Sequence, residues 1–168
     1  LLVAKRRAVL RDLHAQLRGR EMEKRYLALV AGRWPYGAKT LDLPLKTNLK
    51  QGGERVVRVH SDGQEAVTTF KPREQFGKVA TLLDIELGTG RTHQIRVHAA
   101  HAGYPVAGDA KYGDRDKDAK LREYGLSRMF LHAASLTFRK GEGEPFTVIA
   151  PLSPELESVL ERLRATVR

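Results

Sequence analysis

The sequence predicts an α+β fold in which a mostly antiparallel mixed sheet is flanked by helices, and two observations carry the prediction. Short runs of β-branched and apolar residues follow one another between turn signals, in meander order rather than in strict alternation with helices. Three or four other stretches space their apolar residues as a helix does, at residues 6–18, 92–103, 114–125 and 154–167. At 168 residues, 41% of them apolar, the chain is the size of one domain with one core.

Taken in order, Leu1-Leu2-Val3-Ala4 reads as a strand entered in mid-run, without the polar lead-in of an ordinary terminus, so further chain is expected upstream. Residues 6–18 form an amphipathic helix with Val9, Leu10, Leu13 and Leu17 on one side and Gly19 just beyond its end. Residues 24–32 are apolar on both faces from Leu27 onward, the pattern of a central strand. Tyr26 stands near the start of that strand, where a core position and a cleft position are both open to it. Trp34-Pro35-Tyr36-Gly37 is a turn, followed by a short strand at 40–45, a polar hairpin-like loop at 47–54 and a strand at 55–59. Residues 65–76, interrupted by Pro72, and 78–87 read as neighbouring strands joined near Gly77. After Gly88-Thr89-Gly90 a helix follows, with Thr92 as its N-cap and Gly103 as the residue that ends it. Residues 104–113 make a loop punctuated by proline and glycine, and 114–125 hold a short helix. Strands at 129–138 and 146–150 pair, and a closing helix at 154–167 turns Leu156, Val159, Leu160 and Leu163 inward.

The chemistry readable from residue types is narrower. Thirty Lys and Arg against twenty Asp and Glu give a formal charge of +10, which suits an acidic partner such as nucleic acid, although basic surfaces also serve solubility alone. With no cysteine, disulfides and thiolate metal sites are excluded, which fits the cytoplasm. No apolar run approaches membrane-spanning length, and the first residues lack the layout of a signal peptide. His93, His98 and His101 lack metal-site spacing, Gly88-Thr89-Gly90 lacks a nucleotide-loop fingerprint, and no serine sits in a nucleophile elbow. Neither a metal nor a cofactor is expected. What remains is the helix starting near Thr92, whose first N–H groups, together with Arg91 and Arg96, favour a phosphate or a carboxylate.

These residues also carry a resemblance. Gly90-Arg91-Thr92-His93-Gln94-Ile95-Arg96-Val97-His98, then Gly103-Tyr104-Pro105-Val106, Gly108-Asp109 and Tyr112-Gly113, is similar to a conserved motif of the RluA class of pseudouridine synthases. Lys24, Tyr26, Ala28, Val30 and Gly32 match that family's K-x-Y-x-A-x-V-x-G strand, and Phe130-Leu131-His132-Ala133 its Leu-His-Ala motif. The segment 48–57 and the closing helix resemble members that act on large-subunit ribosomal RNA, so the likeness covers essentially the whole chain. It implies a cofactor-free isomerase that flips a uridine out of its stack and rejoins the base to the ribose through carbon 5; nothing in the sequence demands an oligomer, so a monomer away from membranes is expected. By the same resemblance Tyr26 stacks on the target base, Arg96 pairs with the catalytic aspartate, Leu131 lines the base pocket, and Arg91, Thr92, His93 and Gln94 contact substrate.

One departure stands out. The family's aspartate lies in a His-Arg-Leu-Asp motif upstream of the position matching Leu1. Asp12, Asp42, Asp62 and Asp84 fall at no matching position, and Asp109 belongs to a different motif. The expectation is therefore that residues 1–168 are the C-terminal part of one catalytic domain, without the aspartate segment or the S4 domain of some relatives, and are inactive alone. A non-catalytic RNA-binding module on the same fold is the competing expectation.

Overall fold

The computed structural model describes residues 2–49, 55–141 and 143–166. Helix α1 (Arg7–Gly19) leads into strand β1 (Glu23–Ala31), then β2 (Lys39–Asp42), β3 (Leu45–Leu49), β4 (Arg55–Val59), β5 (Val67–Phe76) and β6 (Ala80–Leu87). Helices α2 (Gln94–His101) and α3 (Arg115–Arg122) follow, then β7 (Leu131–Arg139), β8 (Pro145–Ile149) and α4 (Pro154–Thr166). Six strands form one sheet in the order β2-β5-β6-β1-β7-β8, with every pair antiparallel, and β3 with β4 makes a separate hairpin. The α+β expectation therefore holds. The outer part of the expected 47–54 loop falls at residues 50–54, outside the described residues, while Thr47 and Asn48 belong to β3.

The run from Leu27 to Ala31 is buried throughout because β1 lies inside the sheet, between β6 and β7, with helices on both faces. Leu27, Leu29 and Ala31 meet Leu156, Val159, Leu160 and Leu163 of α4 on one face. Ala28 and Val30 meet Ile95 and Ala99 of α2 on the other. Pro72 is tolerated in β5 through a bulge between Pro72 and Glu74. Gly103, at φ +85°, ends α2 as expected: Tyr104 N–H donates to Ala99 O and Gly103 N–H to Ala100 O, each at 3.0 Å.

Three local expectations are corrected. Residues 2–4 form no strand, since no neighbouring strand pairs with them, and Leu2 and Val3 are exposed, Val3 at 71%. On α1 only Leu13 of the four inward candidates is buried, because the helix meets the sheet along Leu13 and Gln16, leaving Val9, Leu10 and Leu17 uncovered. Gln16 stands in for a strand, donating to Arg139 O and accepting from Arg139 N–H, both at 2.9 Å. Helix α1 runs through Gly19, and Arg20 takes the left-handed position at φ 59°, with its guanidinium on Glu65.

Candidate functional site

Strand β1 places Lys24 and Tyr26 two residues apart and so on one face, above a cleft of about 400 Å³ whose other walls include Leu13 and Leu17 of α1 and Leu136 of β7. Register sets Leu131 opposite Ala28 and Ala133 opposite Tyr26, which brings Leu131 beside the tyrosine. Tyr26 and Leu131 are both half-buried against the cluster containing Ile95, the residue before Arg96. Burial raises the Tyr26 pKa, so the ring remains a neutral phenol.

The start of α2 is organised by Gln94, not by Thr92. Gln94 is 2% exposed, and its amide donates to Val67 O at 2.8 Å and Thr68 Oγ1 at 2.9 Å. Its oxygen accepts from Thr89 Oγ1 at 2.7 Å and from Arg91 N–H at 2.9 Å. Because Gln94 reaches back to Arg91 N–H, and His93 occupies the cap position in the left-handed region at φ 54°, Thr92 is exposed and makes no cap. With every hydrogen-bonding position of its amide used inside the protein, Gln94 has none left for a ligand. His98, fully buried, accepts from Thr68 Oγ1 at 2.8 Å on Nδ1 and donates from Nε2 to Leu43 O at 2.9 Å. Burial lowers its pKa against the raising effect of the Leu43 carbonyl.

Arg96 has a carboxylate partner in this chain. Its Nε and Nη2 donate to Asp109 Oδ2 and Oδ1, each at 2.7 Å, and Asp109 also accepts from the backbone N–H of Lys111 and Tyr112 at 2.9 and 3.1 Å. The Asp109 side chain is 0% exposed and that of Arg96 17%. Burial works to raise the aspartate's pKa, but the guanidinium and the two amides outweigh it and hold the carboxyl below its usual range; the same hydrogen bonds raise Arg96. The pair thus uses the Nε/Nη2 edge of the guanidinium, and Nη1 has no hydrogen-bond partner among the described residues. Tyr112 lays its ring 4.9 Å from the Arg96 guanidinium carbon, while its hydroxyl accepts from Val57 N–H at 3.1 Å and meets His93 Nδ1 at 3.0 Å. Asp109 and Tyr112 were legible only as parts of a motif; that they secure Arg96 had no signal in local spacing.

The two arginines expected to serve one anion lie in different cavities. Arg96 lines one of about 460 Å³ with Val57, Arg58 and Tyr112. Arg91, exposed and donating from Nε to Glu65 O at 2.9 Å, lines one of about 440 Å³ with Arg18, Arg20 and Lys24.

A family model described as RNA pseudouridylate synthase matches residues 1–101 of this chain. The chain belongs to the RNA pseudouridylate synthase family. It is 51% identical over its whole length to the ribosomal large subunit pseudouridine synthase C of Yersinia pestis, covering 53% of that protein. To the protein of the same name from Escherichia coli K12 it is 49% identical over 98% of the chain and 52% of the relative. The chain therefore spans about half the length of these synthases. Among solved structures, human RNA pseudouridylate synthase domain containing 1 superposes at a TM-score of 0.74 with 27% identity, over 97% of this chain and 74% of that one. Human RNA pseudouridylate synthase domain containing 4 gives 0.75 over 95% and 69%, and at 23% identity supports the fold alone. No helix among the described residues is long and apolar enough to cross a membrane.

Proposed function

We propose that this chain is the C-terminal part of a catalytic domain that converts uridine to pseudouridine in large-subunit ribosomal RNA, with its nucleophilic aspartate outside the 168 residues. The bond from ribose carbon 1′ to nitrogen 1 of uracil breaks, the base turns, and carbon 5 bonds to the ribose. Carbon 5 then loses its proton and nitrogen 1 gains one, so the isomerisation balances without metal or cofactor. Tyr26 offers a π face to the flipped base and Leu131 an apolar wall beside it. Arg96 holds the aspartate ionised and oriented. Arg91, Thr92 and His93 belong to the RNA-facing rim; Gln94 is left out of the contact set and assigned to holding the turn. The same reading takes the protein as a monomer in the cytoplasm.

The observation that carries this reading is the state of Arg96. A guanidinium fixed on one edge by a buried carboxylate, with an aromatic face beside it and its Nη1 unclaimed, is pre-organised for a second anionic group. The placing of the aspartate in another segment is supported by the length of the relatives and by uncovered apolar side chains. Leu2, Leu10, Leu17 and Val148, which line the cleft, and Val3 and Ile149 outside it are exposed, Ile149 at 75%.

The test compares these 168 residues with the complete polypeptide, following release of tritium from carbon 5 of labelled uridine in ribosomal RNA. The complete protein turns over and the 168 residues alone do not; turnover by the latter refutes the placing of the aspartate. In the complete protein, Arg96→Ala lowers turnover by roughly 100-fold or more while RNA affinity falls only a few-fold, because one arginine is a small part of a many-phosphate interface. Equal losses in turnover and affinity refute the pairing role, and Arg96→Lys, which keeps the charge against Asp109, controls for folding.

A further inference from the structure

The cavity containing Arg91 has a composition the reaction described above does not account for. Arg18, Arg20, Lys24 and Arg91 line it, and no carboxylate does among the described residues. Arg20 is already matched by Glu65, at 2.6 and 3.0 Å, and Arg91 by the Glu65 carbonyl. Lys24 is different. Its ammonium is half-buried, and it has neither an ion-pair partner nor a hydrogen-bond acceptor among the described residues. Burial pulls its pKa down.

Two further features say what kind of anion fits. Gly90 faces the ammonium so closely that a Cβ there would lie 3.1 Å from Lys24 Nζ, so the absence of a side chain leaves the lysine head against bare backbone. Lys24, Leu17 and Met22 also line the neighbouring cleft that contains Tyr26, so the basic cavity and the aromatic cleft share a wall. Along β1, Lys24 and Tyr26 are two strand residues apart, about 7 Å. A basic end adjoining an aromatic end at that spacing suits a nucleotide lying across β1, with its base on the ring and its backbone phosphate on the ammonium.

We propose that Lys24, supported by Arg18, Arg20 and Arg91, is a phosphate-binding subsite for the RNA backbone linkage next to the nucleotide whose base stacks on Tyr26. The proposal rests on the assignment of Tyr26 to the target base. A lone ammonium with no internal carboxylate has no partner to give up when a phosphate arrives, whereas Arg20 must first share Glu65.

The experiment measures binding of a short single-stranded RNA containing one target uridine to the complete polypeptide by fluorescence anisotropy across a salt series. Lys24→Met, which keeps the stem and removes the charge, weakens binding roughly tenfold and flattens the logarithmic salt slope by about 0.7, the value for one phosphate contact on a single strand. Lys24→Arg restores both. A single uncharged methylphosphonate at the linkage beside the uridine weakens binding to the unaltered protein and causes no further loss in Lys24→Met. Thermal melting of both variants verifies that they are folded. An unchanged salt slope in Lys24→Met, or a methylphosphonate loss of equal size in both proteins, overturns the proposal. So does protection of the Gly88 and Gly90 amides by inorganic phosphate without any change in the RNA slope, which would make this a site for a small free anion. Tyr26→Ala is read separately: binding indifferent to it, with the Lys24 slope effect intact, overturns the base-stacking assignment and leaves the phosphate contact standing.

Discussion

Replacing Asp109 by alanine tests what holds the site together. The wholly buried carboxylate accepts four hydrogen bonds, two from Arg96 and one each from the backbone N–H of Lys111 and Tyr112. Removing it strips the counter-charge from a guanidinium only 17% exposed and orphans two amides of the loop that follows. Breaking a buried pair from one side costs about 3–5 kcal/mol, and we take the two amides as included because the loop opens to water once freed. At about 2–4 °C per kcal/mol for a chain of this size, the melting temperature falls by roughly 6–20 °C. Removing both charges with Arg96→Met and Asp109→Leu returns part of that loss, since no unpaired charge remains. The pH dependence has a definite sign. The folded pKa of Asp109 lies below its ordinary 3.8, so its contribution is complete above that value and disappears as pH falls through the folded one. Urea unfolding followed by circular dichroism gives a gap between wild type and Asp109→Ala that is constant near neutrality and narrows only in strong acid. A gap below about 1 kcal/mol at neutral pH, or one that does not narrow on acidification, refutes the reasoning.

Two further outcomes follow from the same geometry. His98 is buried and neutral with a folded pKa below its ordinary 6.5, so the unfolded chain binds the proton first and stability declines as pH falls from about 6.5; urea midpoints at pH 7 and pH 5 differ less in His98→Gln than in wild type, and equal differences exclude His98 as the source. A Cβ at Gly113 would lie 2.1 Å from Asp109 O, the backbone atom that accepts the Gly113 N–H at 2.8 Å; Gly113→Ala therefore costs at least about 3 kcal/mol and loosens the Asp109 turn, and an unshifted melting curve counts against this.

Much of the scaffold was written in local pattern. The five-residue apolar run from Leu27 can be satisfied only between two strands and two helices, and β1 is in that position. Gly103 ends α2 because a positive φ is needed there, and the spacing of Leu156, Val159, Leu160 and Leu163 sets the buried face of α4. What local pattern did not carry was decided by distant partners. The start of α2 depends on Gln94 reaching Val67 and Thr68, 27 and 26 residues away, so a local rule naming Thr92 as the cap missed it. Arg96 finds Asp109 thirteen residues on, across a turn whose shape depends on Gly113, and no helical or strand spacing relates the two. The apolar spacing of α1 correctly marked a helix but not its covering, because spacing identifies a face without saying what lies against it.

The β3–β4 hairpin stands apart from the main sheet, secured by a small plug of Leu45, Val57, Ala66 and Val97, with Tyr112 at its edge and that residue's hydroxyl on Val57 N–H. Backbone hydrogen bonds from Leu45 N–H to Gln64 O and from His60 N–H to Pro44 O hold its open end. Its strand β4 is also one wall of the cavity around Arg96, through Val56, Val57 and Arg58. Tyr112 therefore serves two elements at once: its hydroxyl ties the hairpin down through Val57 N–H, and its ring is the aromatic face against the arginine.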